Sequence, residues 1–191
     1  APPRPTALTA ARARDGAHAV RVEPGEVRLL AASDADLAAL ISGTVRGGRV
    51  TLGARRIDRL GTAARVRRGL GVVTDAAVAD DVTVVDHLAA IAGRRAATAA
   101  LASAPLLRGR GSDAAGVLSG GERRVLAWLR CIVARPNAVV LDAAGTGMDA
   151  ATLDWAGRVV AAWAQAGVAV VIRPGRDEER RWALPGPPSP S

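Results

Sequence analysis

Between Leu118 and Asp149 the chain reads LSGGERRVLAWLRCIVARPNAVVLDAAGTGMD, and this stretch limits the possible fold more than any other. Ser119 precedes a run in which Val125, Leu129, Ile132 and Val133 fall on one helical face, and Pro136 ends it. A cap hydroxyl can accept from a free N–H of the first turn, whereas proline cannot continue the ladder. The strand-like run AVVL at 138–141 has no polar position on either face. Such a strand is stable only when both faces are covered, so helix, short link and buried strand together predict a parallel sheet between layers.

The rest of the sequence alternates in the same way. HAVRV (18–22), GEVRLLA (25–31), GGRVTL (47–52), GLGVVT (69–74) and VAVVI (168–172) read as strands. SDADLAALISG (33–43) reads as a short helix with Ser33 as its N-cap, Asp36 three residues on as its capping-box partner, and Gly43 at its stop. Thr83 and Asp86 give a second capping signal before HLAAIAG in an Ala-rich helical region, 81–104, and PLLRGRGSDAAG (105–116) reads as a loop. Asp149–Ala166 is predicted as a helix closed by Gly167. The expectation is one α/β domain over 1–182, with a helical subdomain at roughly 81–135 and a Pro-rich, disordered tail at 183–191.

Composition narrows the function. All 26 basic residues are arginine, and Phe and Tyr are absent, so the net charge of +8 reads as a bias in residue usage rather than as a nucleic-acid footprint. Nucleic-acid surfaces usually add aromatic platforms or a basic helix; here three of the four tryptophans, Trp128, Trp155 and Trp163, sit at apolar helical positions that predict core. No apolar run approaches the roughly 18 residues that cross a bilayer, so membrane insertion is not expected. The N-terminal residues lack an apolar leader, and the lone Cys131 has no partner, which together point to a reducing, cytoplasmic setting. His18 and His87 are placed poorly for catalysis, and no His/Cys cluster or Ser/His/Asp set suggests zinc or a hydrolase.

The order of these pieces resembles the nucleotide-binding domain of an ABC transporter over nearly the whole chain. Leu118-Ser119-Gly120-Gly121-Glu122 is similar to the family's signature motif, and AVVLDAAGTGMD to its Walker B strand and D-loop. GEVRLLA, LISGTVRGGRVTL, RRGLGVVTD and DVTVVDHL supply the earlier landmarks in order. The resemblance implies a P-loop NTPase-like ABC ATPase fold, mostly parallel, with a helical insertion carrying LSGGE. It places the magnesium-linked aspartate at Asp142 and the D-loop aspartate at Asp149. RRVLAWLRCIVARP and RRGLGVV are most similar to ATP-binding subunits of branched-chain amino acid importers.

Against that pattern, the parts that would bind ATP within this chain depart one by one. A phosphate cradle needs a glycine-rich loop, a lysine and a Ser/Thr, yet the link between GEVRLLA and LAALISG is SDAD, about four residues shorter than GxxxxGK[ST]. Asp34 and Asp36 put carboxylates where phosphate oxygens would lie, and like charges about 4 Å apart cost on the order of 4 kcal/mol at an effective dielectric near 20. Ser33 and Asp36 are expected to cap the helix instead. Ala143 replaces the glutamate that polarises the attacking water, Asp75 the Q-loop glutamine, and Pro174 the switch histidine.

In the family two domains pair head to tail, and the signature of one closes over the nucleotide held by the other. The resemblance therefore implies a degenerate subunit that offers Ser119, Gly120, Gly121 and Glu122 in trans to an intact ATPase partner beneath a membrane permease, peripheral on the inner face of the plasma membrane. ATP and Mg would belong to the shared site and be held mainly by the partner, with none bound by this chain alone. Whether the chain is an enzyme stays open at this point, with two alternatives: a weak ATP-binding, ATP-hydrolysing subunit using Asp142, and a nucleotide-independent scaffold.

Overall fold

A computed structural model describes residues 4–12, 19–74 and 78–175. His18, Asp75, Trp182 and the 183–191 tail lie outside them.

Two four-stranded sheets form the frame. Strands β1 (Leu8–Arg12), β2 (Ala19–Val22), β4 (Gly48–Leu52) and β5 (Arg55–Arg56) build an antiparallel sheet in the order β2-β1-β4-β5. Strands β3 (Val27–Leu29), β6 (Leu70–Val73), β7 (Ala138–Asp142) and β8 (Ala169–Arg173) build a parallel sheet in the order β3-β8-β7-β6. The parallel sheet is as the apolar runs imply. The antiparallel sheet is less legible, because β1 and β5 carry no apolar run that separates them from loops.

Alternation along β7 and β8 divides the interior into two cores. Ala138, Val140, Ala169 and Val171 face helix α1 (Ala35–Ser42) and the antiparallel sheet, packing with Leu8, Val50 and Ile41. Val139, Leu141, Val170 and Ile172 face the other way, onto α5 (Gly120–Ala134) and α6 (Ala150–Gln165). Burial on both faces is why these strands read as continuous apolar runs.

The Ala-rich segment is not one helix. Gly93, at φ +80°, separates α3 (Val84–Ala92) from α4 (Arg94–Ser103), which pack on each other and on α5. Thr83 caps α3 as expected: its Oγ1 accepts from Asp86 N at 3.2 Å and donates to the Asp86 carboxylate at 2.6 Å. A short helix, α2 (Thr62–Arg67), precedes β6 and was missed in the sequence because three of its six residues are small and two are charged. It carries Arg65, fully buried, whose guanidinium donates to the carbonyls of Leu40 and Ile41 at the end of α1 and of Asp58 and Leu60 in the next loop. A Cβ at Gly43 (φ +89°) would stand 2.9 Å from the Arg65 Nε, so this junction takes only glycine.

Trp128, Trp155 and Trp163 are buried, as their helical positions predict. Trp128 stacks on Trp163 with centroids 5.7 Å apart and meets Trp155 at 5.9 Å, tying α5 to α6. Cys131 is buried too, and that burial pushes its thiol up to about 12, so it packs as a neutral group. Among the described residues no helix is long and apolar enough to cross a membrane.

Candidate functional site

Parallel register sets the site. β7 and β8 pair so that Asp142 lies opposite Arg173, and both stand at the carboxyl edge of the sheet, beside the loop that leaves β3. Ligands of open α/β sheets bind along this edge.

Here the edge is occupied by the chain's own side chains. Arg173 Nε donates to the Asp142 carboxylate, and Arg173 Nη1 reaches the Ala32 carbonyl at 3.3 Å. Both side chains are mostly buried, 16% and 20% exposed, so the pair is poorly screened by water. Sequence reasoning missed Arg173. The available signal was that two apolar strands end in opposite charges, but only the pairing register makes them neighbours. Just beyond Asp142, Ala143 takes φ +49°, an uncommon conformation for a residue with a Cβ, and its N–H donates to Arg173 O at 2.8 Å. Pro174, buried, follows directly.

At the start of α1 the expected capping box is absent. The N-cap is Asp34 rather than Ser33, and its side chain makes no cap bond to the helix. Asp34 Oδ2 instead accepts from the Ala31 N–H at 3.1 Å, closing the loop before the helix. Asp36 turns away to Arg12 at the end of β1, at 2.7 Å. A long-range arginine on another sheet thus outcompetes the local serine, which no spacing within SDAD reveals. The two carboxylates thus each have their own donor, Ala31 N–H for Asp34 and Arg12 for Asp36. The cleft bounded by Arg12, Ser33, Asp34, Asp36 and Leu37 holds about 80 Å³, below the roughly 300 Å³ of ordinary small-molecule sites. These residues do not fit a magnesium nucleotide: the helix N-terminus presents carboxylates, and the remaining acidic ligand is bound to an arginine.

The other end of the site is open. Ser119 caps α5 in a complete capping box: Glu122 N donates to Ser119 Oγ at 3.3 Å, and Ser119 N donates to Glu122 Oε2 at 2.8 Å. Glu122 is held from behind by Arg110, which also grips Asp113 at 2.7 Å. The Ser119 N–H and then the Arg110 guanidinium keep the Glu122 carboxyl below its usual range. Arg123 donates to the carbonyls of Leu118 and Gly116 and pairs with Asp80 at 3.1 Å. Glu122 and Arg123 therefore fix the turn from within, while Ser119 and Gly120 stay exposed, with open space where a Gly120 Cβ would point.

Three contacts tie this turn to the loop after β7. Arg124 donates to the Thr146 carbonyl, Trp128 Nε1 donates to Ala144 O at 2.9 Å, and a Cβ on Gly121 would stand 3.2 Å from Gly147 O. Asp149 ends the loop as the N-cap of α6, accepting from Thr152 N at 2.8 Å. Ser119, Gly120 and Gly121 at the start of α5 and Asp149 at the start of α6 thus flank the β7–α6 loop, which is braced against α5. A helix N-terminus with a free face is suited to an anion.

The sequence matches no family model and no curated protein. The structure is similar to solved ATP-binding cassettes. It overlays an ATP-binding cassette of an ABC transporter in its ADP conformation with a TM-score of 0.69 at 17% identity, covering 90% of this chain and 82% of that one. A nucleotide-free ATP-binding cassette from an ABC transporter gives 0.71 at 18% identity with the same coverage. A bacterial Atm1-family ABC exporter with ATP bound gives 0.70 at 22% identity, covering 93% of this chain and 36% of that one. The chain has the P-loop NTPase-like α/β fold of ABC ATPases, with its parallel sheet.

Proposed function

We propose that this chain is a degenerate ATP-binding subunit of an ABC transporter that supplies its signature turn to a nucleotide held by an intact ATPase subunit. The reading rests on one contrast: the α5 N-terminus is braced from behind and open in front, whereas the α1 N-terminus is closed by internal carboxylate contacts. Ser119 Oγ and the first N–H groups of α5 would cap the outer phosphate of the partner's nucleotide. ATP and Mg belong to that shared site. The Asp142–Arg173 pair counts against turnover by this chain alone, because freeing the carboxylate for a metal strands the guanidinium.

A permease is the second partner in this reading, and it would hold the chain at the inner face of the plasma membrane. What supports it is a groove of about 510 Å³ between α2, β6 and α5, with exposed Val66 and Ile91 on its wall and Arg67 and Arg130 beside them. Its apolar surface with basic neighbours suits a short amphipathic helix that carries an acidic residue. The finer assignment, to an importer of branched-chain amino acids, rests on the wording of RRGLGVV and RRVLAWLRCIVARP.

The test is assembly. An intact ATP-binding cassette subunit of the same organism, mutated at its own catalytic glutamate, should form a one-to-one complex with this chain only when Mg-ATP is present. Ser119→Arg should block that complex. Complex formation that is indifferent to ATP and to Ser119→Arg would favour the scaffold, and saturable Mg-ATP binding by the isolated chain would favour the weak ATPase.

A further inference from the structure

The net charge is not spread over the molecule. Residues 44–68 carry eight arginines against one aspartate, a net of +7, while the other 166 residues carry 18 arginines and 17 carboxylates. A bias in residue usage raises the arginine count everywhere but does not strip carboxylates from one segment. We propose that this segment, running from the end of α1 through the β4–β5 hairpin to α2, is a docking surface for the phosphates of an anionic lipid bilayer.

The pairing pattern supports it. Elsewhere Arg12, Arg21, Arg28, Arg94, Arg110, Arg123 and Arg173 meet a carboxylate, and exposed arginines such as Arg95, Arg108 and Arg158 that do not are scattered among acidic residues rather than clustered. In the segment, Asp58 is engaged by Arg56 at 3.1 Å, and Arg65 is buried on carbonyls. The remaining six, Arg46, Arg49, Arg55, Arg59, Arg67 and Arg68, are exposed and have no carboxylate partner among the described residues. The fold gathers part of this set, while Arg55, paired with Leu52, leaves the hairpin on its other face and Arg67 borders the α2–α5 groove. Arg49 and Arg56 flank Thr51 on the outer face of the sheet, opposite buried Val50 and Leu52, and Arg46 reaches the Arg59 carbonyl at 3.4 Å. Arg65 fixes the loop at 58–60 to the end of α1, so these charges sit on a rigid base.

Guanidinium groups bind phosphate bidentately, and an unpaired cluster gains most near an anionic surface. The chemistry favours lipid over nucleic acid. The segment contains no aromatic residue on which a base could stack, and its only helix, α2, has six residues, too few to read a groove. Val45, 39% exposed beside Arg46, offers a small apolar contact below the headgroups. The inference stands apart from the proposed pairing, since it needs neither nucleotide nor a second subunit.

The experiment is co-sedimentation of the full chain with vesicles of phosphatidylcholine alone or mixed with phosphatidylglycerol. Binding should require phosphatidylglycerol and weaken with added salt. The triple variant Arg49→Gln, Arg55→Gln, Arg59→Gln should lower the partition coefficient about 100-fold, or about 5-fold per arginine. The single variant Arg55→Gln, on an edge strand, gives the 5-fold step with the least risk to folding, and circular dichroism checks each variant. Arg95→Gln, Arg108→Gln, Arg158→Gln, equal in charge but outside the segment, should bind nearly as the parent does. No binding to anionic vesicles, equal loss in both triple variants, or tighter capture of duplex RNA abolished by the first triple would overturn the proposal.

Discussion

Arg173, the last residue of β8, lies opposite Asp142, the last residue of β7, and donates its Nε–H to the Asp142 carboxylate while reaching the Ala32 carbonyl. One guanidinium thus joins three segments at the edge of the sheet. Removing it leaves a largely buried carboxylate without a counter-charge. Arg173→Leu should therefore lower stability by about 1–3 kcal/mol, while Asp142→Leu combined with Arg173→Leu should recover most of the loss. Urea denaturation of the parent and the two variants measures it. If the double variant is as weak as the single, packing rather than charge sets the value of this pair.

Ala143 offers a test with the opposite sign. At φ +49° its Cβ is costly, and glycine removes that cost at the expense of a more flexible unfolded chain. The balance should favour Ala143→Gly by about 0.5–1 kcal/mol in thermal unfolding. Ala143→Glu, which introduces the residue type that the resemblance to ABC ATPases leads one to expect there, should give no Mg-ATP turnover in a phosphate-release assay, because the α1 N-terminus is closed by Asp34 and Asp36.

Arg65 joins the end of α1, the 58–60 loop and α2 through four carbonyls. Arg65→Met fills much of the volume but leaves those carbonyls unsatisfied, and should cost about 3–5 kcal/mol. Arg65→Lys should also destabilise clearly, since an ammonium cannot span the fork. Differential scanning calorimetry reads both.

Acid should loosen the signature turn. The folded state holds the Glu122 carboxyl below its usual value of 4.5, so the stability it contributes is complete above that pH and is lost as the pH falls through the folded value. Melting temperature should therefore drop below about pH 4.5. Glu26, Asp58 and Asp149 shift in the same direction, so Glu122→Gln should remove part of that slope and lower the melting temperature at neutral pH. An unchanged slope in Glu122→Gln would show that the other three carboxyls carry the acid sensitivity.

The cap hydroxyl has a structural share that must be separated from its proposed role at a partner's phosphate. Ser119→Ala removes one N–H partner of α5 and should cost about 1 kcal/mol. Ser119→Asp keeps the cap and should restore that stability, yet it places a carboxylate on the open face and should still block ATP-dependent pairing. Chemical denaturation and size-exclusion chromatography with the intact subunit distinguish the two.

Local chemistry decided much of this molecule in advance. The cap at Ser119, the cap at Thr83, the buried runs of β7 and β8 and the three core tryptophans are set by neighbours within a few residues or by continuous apolarity, and all are legible in the chain. Signals of that kind failed where partners are remote. Ser33 and Asp36 have the spacing of a capping box, but Arg12 on the other sheet takes Asp36. Asp142 reads as a free carboxylate until parallel register brings Arg173 beside it, 31 residues away. Arg65 carries no local signal of burial, and only the packing of α2 on α1 encloses it. The sequence determined which segments form helices and buried strands, because hydrogen bonding and burial along one segment depend on its own residues. Tertiary structure alone decided which remote charges meet, Arg12 with Asp36 and Arg173 with Asp142, since Coulomb attraction and desolvation depend on distance in space.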